Sequence, residues 1–132
     1  MTNSLFGQTP GESPDLPVQK FTIPYRATDT VELYLDLYLP HGNPPASGWP
    51  VVLYIHGGGW SGGSKAYATE WRQIEVHRQL LKEGIALIAI DYRKGNQAKN
   101  VGDPLTDCLH ALRWIEQAAS IAPLDPDRIG LW

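Results

Sequence analysis

Residues 51–63 read Val-Val-Leu-Tyr-Ile-His-Gly-Gly-Gly-Trp-Ser-Gly-Gly. The apolar run 51–55 has the length of a strand and no polar position in it. A strand of that kind is covered on both faces, as in a parallel sheet. The glycines that follow stop the strand and open a loop whose backbone is free of Cβ atoms. A second apolar run, 85–90, has the same character. Between the two runs, 69–82 is predicted to be a helix with Trp71, Ile74 and Leu81 on one face, and Gly84 is placed to end it.

Upstream, Phe21, Ile23 and Tyr25 alternate with Lys20, Thr22 and Pro24. Val31, Leu33, Leu35, Leu37 and Leu39 alternate in the same way with Glu32, Tyr34, Asp36 and Tyr38. Period-2 alternation predicts two half-buried strands, paired antiparallel. Pro40 ends the second, and 40–50 reads as a surface loop. Downstream, Asp103 and Pro104 suit the N-cap and first position of a helix. Leu105, Cys108, Leu109, Leu112, Ile115 and Ala119 follow at helical spacing and are expected to form its core face. Asp125-Pro126 breaks the chain, and 128–132 is expected to be one more strand. The order β, β, β, α, β, α, β is that of an α/β sheet with helices on both faces.

The chain has 132 residues, 42% hydrophobic and 19% charged, enough for one small domain. A net charge of −3 with no basic block argues against a nucleic-acid partner. The single cysteine, Cys108, cannot make an internal disulfide. Residues 1–19 carry neither a basic start nor an apolar core of a signal peptide, and the apolar runs are too short to span a membrane. The expectation is therefore a cytoplasmic protein with a flexible lead-in over 1–19 and a domain over 20–132.

The glycine loop admits three readings. Residues 59–63, Gly-Trp-Ser-Gly-Gly, match G-x-S-x-G, the sharp strand-to-helix turn that presents a catalytic serine. Five residues, however, separate Ser61 from the end of the strand, with the helix later still, too long a turn to aim Ser61 as a nucleophile. Residues 58–65 read G-x-x-x-x-G-S-K, a phosphate loop with its last two residues exchanged. A nucleotide's lysine and hydroxyl contacts depend on that order. The third reading is an oxyanion hole. Acyl transfer builds negative charge on a carbonyl oxygen, and glycine amides can approach it closely; losing one such donor costs about 3 kcal/mol of barrier.

The serines are Ser4, Ser13, Ser47, Ser61, Ser64 and Ser120. The histidines are His41, His56, His77 and His110. His77 and His110 fall on predicted helices, partly exposed, and His41 on a loop. No pair has metal-ligand spacing, so no metal or cofactor is expected. Asp91 and Asp107 are expected to make scaffolding hydrogen bonds around Tyr92-Arg93 and the helix from Asp103.

Five stretches stand in a telling order: VELYLDLYLP (31–40), VVLYIHGGGWSGGSK (51–65), ALIAIDYR (86–93), DPLTDCLHALRWI (103–115) and DPDRIGLW (125–132). In these the chain resembles the N-terminal half of an α/β-hydrolase of the HGGG esterase and lipase group. That group includes hormone-sensitive-lipase-like and feruloyl/acetyl-esterase-like (BD-FAE-like) enzymes; HGGGW with RIGLW leans toward the latter. The resemblance implies a carboxylic-ester hydrolase with a small-molecule ester substrate. The amides of Gly58, Gly59 and Trp60 would form the oxyanion hole, and His56 and Gly57 would support its loop. In such enzymes the strand matching RIGLW runs into the nucleophile elbow, with the acid and histidine later. The triad is thus absent from these 132 residues, which are expected to be inactive alone. The last strand would be an open edge that invites a complementing chain or aggregation. A non-catalytic binding half-fold and a nucleotide-binding loop remain the alternatives.

Overall fold

The computed structural model describes residues 11–12 and 18–132. Its elements are β1 (Gly11–Glu12), β2 (Gln19–Ala27), β3 (Glu32–Leu39), β4 (Trp49–Ile55), α1 (Trp71–Lys82), β5 (Ala86–Ile90), α2 (Gly102–Ala118) and β6 (Leu124–Leu131). Short 3₁₀ turns lie at Lys65–Thr69 and Gly95–Gln97. The strands form one sheet in the order β1-β2-β3-β5-β4-β6. Most of the lead-in predicted over 1–19 lies outside the described residues. Within it, Gly11 and Glu12 pair with Lys20 and Gln19. With that short strand counted, the glycine loop follows the fourth strand rather than the third.

β2 and β3 pair antiparallel, Phe21 opposite Leu37, as their alternation predicts. β4 and β5 pair in parallel, Val51 opposite Ala86 through Ile55 opposite Ile90. β6 lies parallel to β4 on its other side. The chain therefore moves one way across the sheet from β4 to β5 and the opposite way from β5 to β6. Strand–helix–strand crossovers are right-handed, so the two connecting helices must cover opposite faces. The core divides accordingly. Leu35, Leu37, Leu53, Ile88 and Ile90 pack with Ala111 and Ile115 of α2. Tyr38, Tyr54, Leu87 and Ala89 pack with Leu81 of α1. Each fully buried Leu or Ile contributes about 1.5–3 kcal/mol of transfer free energy.

Several expectations need correction. β3 is not half-buried: Asp36 and Tyr38, on the face predicted to be polar, are as buried as Leu35 and Leu37, because α1 and the 3₁₀ turn cover that face. Trp71 does not join the core face of α1; it is 89% exposed with φ +54°, and the helix buries His77 and Leu81 instead. α2 begins at Gly102 with Val101 as its cap, so Asp103 lies inside the first turn and accepts from the Lys99 amide at 2.8 Å. Its buried face is Pro104, Asp107, Ala111, Ile115 and Ala118, which leaves Leu105 and Leu109 exposed. The inward pull on Asp107 by two guanidiniums, described below, sets that rotation. β6 starts at Leu124, before the expected 128, and the Asp125-Pro126 break survives as a register shift opposite Trp49 and Val51. Gly84 ends α1 as expected, with φ +81°, and Ile85 donates back to Leu80 O at 2.9 Å.

Candidate active site: the glycine loop beyond β4

Neighbouring parallel strands whose connections leave toward opposite faces open a crevice beyond their carboxyl ends. β4 and β5 are such a pair, and the loops that follow them meet there. The β4 loop runs His56-Gly57-Gly58-Gly59-Trp60; the β5 loop supplies Tyr92. Together these six residues line a cavity of about 220 Å³.

The loop is held from below and from the side. Tyr92 stacks on His56 with ring centroids 4.2 Å apart and donates its hydroxyl to His56 O at 2.7 Å. Gly95 N donates to Trp60 O at 2.9 Å. The Lys94 ammonium donates to Gly63 O. Within the loop, Ser61 N and Gly62 N both donate to Gly58 O, at 3.2 and 3.1 Å. Gly58 sits at φ +137°, and a Cβ there would stand 2.2 Å from Gly62 O. Trp60 occupies the left-handed region, φ +66°, a strained position for a bulky residue, with its ring edge-on to Tyr92. Among the described residues, the amides of Gly58, Gly59 and Trp60 find no acceptor. Three N–H groups are thus left available beside an open cavity.

The far end of the loop is anchored through Lys65. Its amide donates to Asp91 Oδ1 at 2.8 Å and its ammonium to the buried Asp36 Oδ2 at 2.9 Å. Asp36 also accepts from Thr22 Oγ1 at 2.6 Å. The lysine that a phosphate loop would need is therefore committed to a carboxylate. Ser61 is equally unsuited to the elbow reading. It is exposed, its Oγ donates to Gly58 O at 3.3 Å, and α1 begins only at Trp71. Ser47, Ser64 and Ser120 hydroxyls contact a guanidinium or backbone.

His56 is 2% exposed and His77 wholly buried, which corrects the expectation that His77 is partly exposed. Each places Nδ1 against a carbonyl: Gly57 O at 2.8 Å for His56 and Ala68 O at 2.6 Å for His77. A carbonyl can only accept, so Nδ1 carries the proton in both. Nε2 of each is buried without a partner among the described residues. Burial holds both imidazoles below the ordinary histidine value, against the opposing pull of those carbonyls. His110 is half-exposed on α2, and His41 is exposed on the loop before β4.

The folded protein thus refuses protons that the unfolded chain accepts near pH 6.5. Stability is full above that value and falls as pH drops below it, by up to about 1.4 kcal/mol per pH unit for each imidazole until its folded-state pKa is reached. Urea midpoints at pH 7.5 and 5.5 measure this; equal midpoints would contradict it.

Asp107 and Asp91 are scaffolding groups, as expected. Asp107 is fully buried on α2 and binds Arg26 at 2.7 Å, the Arg93 amide at 2.8 Å and the Arg93 guanidinium at 3.0 Å. Sequence reasoning missed Arg26, Lys65 and Lys94. Their roles depend on residues 29 to 81 positions away, and no local pattern marks them. Among the described residues no group of metal ligands comes together. No helix of the described residues is long and apolar enough to cross a membrane.

A mixed open sheet with helices on both faces and a glycine loop at its crevice is the architecture of an α/β-hydrolase. A BD-FAE family model matches residues 35–132, and the chain belongs to that family. It is similar to esterase 2 of Thermogutta terrifontis, solved phosphoramylated by tabun. Identity is 31%, TM-score 0.73, over 89% of this chain and 43% of that one. It is 34% identical to an isoprenylcysteine alpha-carbonyl methylesterase of Arabidopsis thaliana, over 74% of this chain and 21% of the relative. It is 31% identical to the non-reducing polyketide synthase atr1 of Stereocaulon alpinum, over 73% of this chain and 4% of the relative. The chain spans less than half the length of each.

Proposed function

We propose that this chain is the oxyanion-binding half of a serine carboxylic-ester hydrolase acting on small-molecule esters. One observation carries the reading: the amides of Gly58, Gly59 and Trp60 stand without acceptors beside a cavity at the β4–β5 crevice. A serine attacks the acyl carbon and passes its proton to a histidine that an acidic residue orients. The carbonyl oxygen gains negative charge and takes two of the loop amides, already aimed and relieved of reorganisation. His56 and Gly57 support the loop, and Trp60 and Tyr92 give the cavity aromatic walls. The esterase and methylesterase names of similar proteins support the same chemistry.

The nucleophile, acid and base come from sequence beyond these 132 residues, and the open β6 edge, with Leu131 and Trp132 exposed, receives the strands they ride on or a complementing chain. The test is to read the source gene past codon 132, express its product, and assay a short p-nitrophenyl ester. Hydrolysis by that product, with none by the 132-residue chain alone, is expected. A product that binds a fluorophosphonate probe nowhere and hydrolyses nothing overturns the reading. In the active product Ser61→Ala removes one 3.3 Å hydrogen bond, worth about 1 kcal/mol, and activity stays within about tenfold. Activity abolished by Ser61→Ala would instead make Ser61 the nucleophile.

A further inference from the structure

The loop after β5 grips the glycine loop at three carbonyls. The Tyr92 hydroxyl holds His56 O at the start, Gly95 N holds Trp60 O at the middle, and the Lys94 ammonium holds Gly63 O at the end. The first two contacts are neutral. The third is charge-assisted, and it meets the segment where the loop turns back toward Lys65.

Without that contact the loop would be tied only at its start, its middle and, past Ser64, at Lys65. Gly58, Gly59, Gly62 and Gly63 between those points give the backbone wide freedom. Gly62 and Gly63 matter because Gly62 N and Ser61 N fix the Gly58 carbonyl, and thereby the direction of the Gly59 amide in the same peptide unit. A force applied at Gly63 O is transmitted to the oxyanion donors through one short turn. Lys94 is itself steadied, since its amide donates to Gln97 Oε1 at 3.2 Å within the 3₁₀ turn Gly95–Gln97.

We propose that Lys94 is a positioning residue for acyl transfer: its ammonium on Gly63 O holds the glycine loop in the form that aims the Gly58–Trp60 amides into the cavity. Lys94 does not touch substrate. The proposal rests on the oxyanion reading of the loop, and its predicted signature is a loss of transition-state stabilisation with ground-state binding left in place. Lys65 makes a different contact, to Asp36 on β3, so charge alone does not define the role.

The experiment uses the active product of the source gene carrying this sequence. Lys94→Met is expected to lower kcat by about 10- to 100-fold, the scale of a misplaced reacting geometry, with KM changed less than threefold. The Ki of a trifluoromethyl ketone, which forms an oxyanion in the site, rises by the same factor as kcat/KM falls. Lys94→Arg, which can still donate to Gly63 O, recovers most of the loss. Lys99→Met, at an exposed lysine paired loosely with Asp29, is the control and changes neither quantity. Deuterium uptake by the peptide covering 56–63 quickens in Lys94→Met while peptides from β4 and β5 keep their wild-type rates.

Unchanged kcat and unchanged loop exchange in Lys94→Met overturn the proposal. So does a loss of activity accompanied by faster exchange throughout the sheet, which marks a general structural role. Gly58→Ala separates the two levels. If Gly58→Ala damages kcat and Lys94→Met does not, only the Lys94 assignment fails. If neither does, the oxyanion reading fails with it. Should the product prove inactive, loop exchange alone decides whether Lys94 holds the loop.

Discussion

Asp107→Ala destabilises the protein by about 3–5 kcal/mol, the range for removing one partner from a buried ion pair. A whole domain is stable by only 5–15 kcal/mol, so a large share of the stability margin is expected to be lost. Asp107 is completely buried and binds four donor groups: Arg26 Nη1, and the amide, Nε and Nη2 of Arg93. Arg93 is itself 8% exposed, and its partner Asp103, 3.7 Å away, lies toward solvent. Truncation would leave one guanidinium and one amide buried without their acceptor. Asp107→Asn tests the charge separately from the shape. It keeps one acceptor oxygen but turns an amide NH₂ toward a cation, and most of the loss should persist. Urea denaturation of the three proteins at pH 7.5 gives the comparison. A midpoint shift for Asp107→Ala equivalent to less than about 1 kcal/mol, the scale of an exposed pair, would show that the cluster contributes little.

In the proposed ester hydrolase, Gly58→Ala is expected to lower kcat by about 10²–10³-fold, the scale for losing one oxyanion donor. Two effects coincide at this position. Its φ of +137° is open to glycine and closed to other residues, and the added Cβ would meet Gly62 O at 2.2 Å. The turn from Gly58 to Gly62 must open, and the Gly59 and Trp60 amides turn with it. Stability should change far less, because residues 57–61 are exposed and the loop's ring contacts run through His56, on Tyr92 and Tyr67, and Trp60, on Tyr92. Gly59→Ala is the milder neighbour: its φ is +63°, but a Cβ there meets nothing within 4 Å. A Gly58→Ala enzyme that keeps its kcat while Tm is unchanged would remove the loop from the chemistry.

The two effects differ in how far they can be read from the chain. The glycine loop was legible because its pattern is local. An apolar strand run, then a histidine and three glycines, states in consecutive residues where a strand ends and where bare amides are available. Except for the two-residue β1, the strands, both helices and their order were legible for the same reason, since period 2, period 3.6 and glycine stops are properties of neighbours in sequence. What was misread lies where distant residues decide. The alternation in β3 promised a polar face at Asp36 and Tyr38, yet α1 and the 3₁₀ turn cover it, and Asp36 is neutralised there by Lys65.

On α2 the leucine spacing put Leu105 and Leu109 inside; the structure turns them out and Asp107 in. Hydrophobic spacing alone favours the leucines. Charge-assisted bonds from Arg26 and Arg93, 81 and 14 positions away, favour the carboxylate, and they win because two guanidiniums would otherwise lose their shared buried acceptor. Trp71 follows the same logic, its left-handed backbone swinging the ring out of the helix face the spacing assigned to it.

By itself the sequence determined the α/β class, the strand and helix order, the family and the loop that offers its amides, because each is written in local pattern. The tertiary structure alone decided which face of each helix is buried, which carboxylates neutralise Arg26, Arg93 and Lys65, and that Tyr92, Lys94 and Gly95 hold the loop. Those are choices among partners far apart in the chain, and only packing brings the partners to within hydrogen-bonding distance.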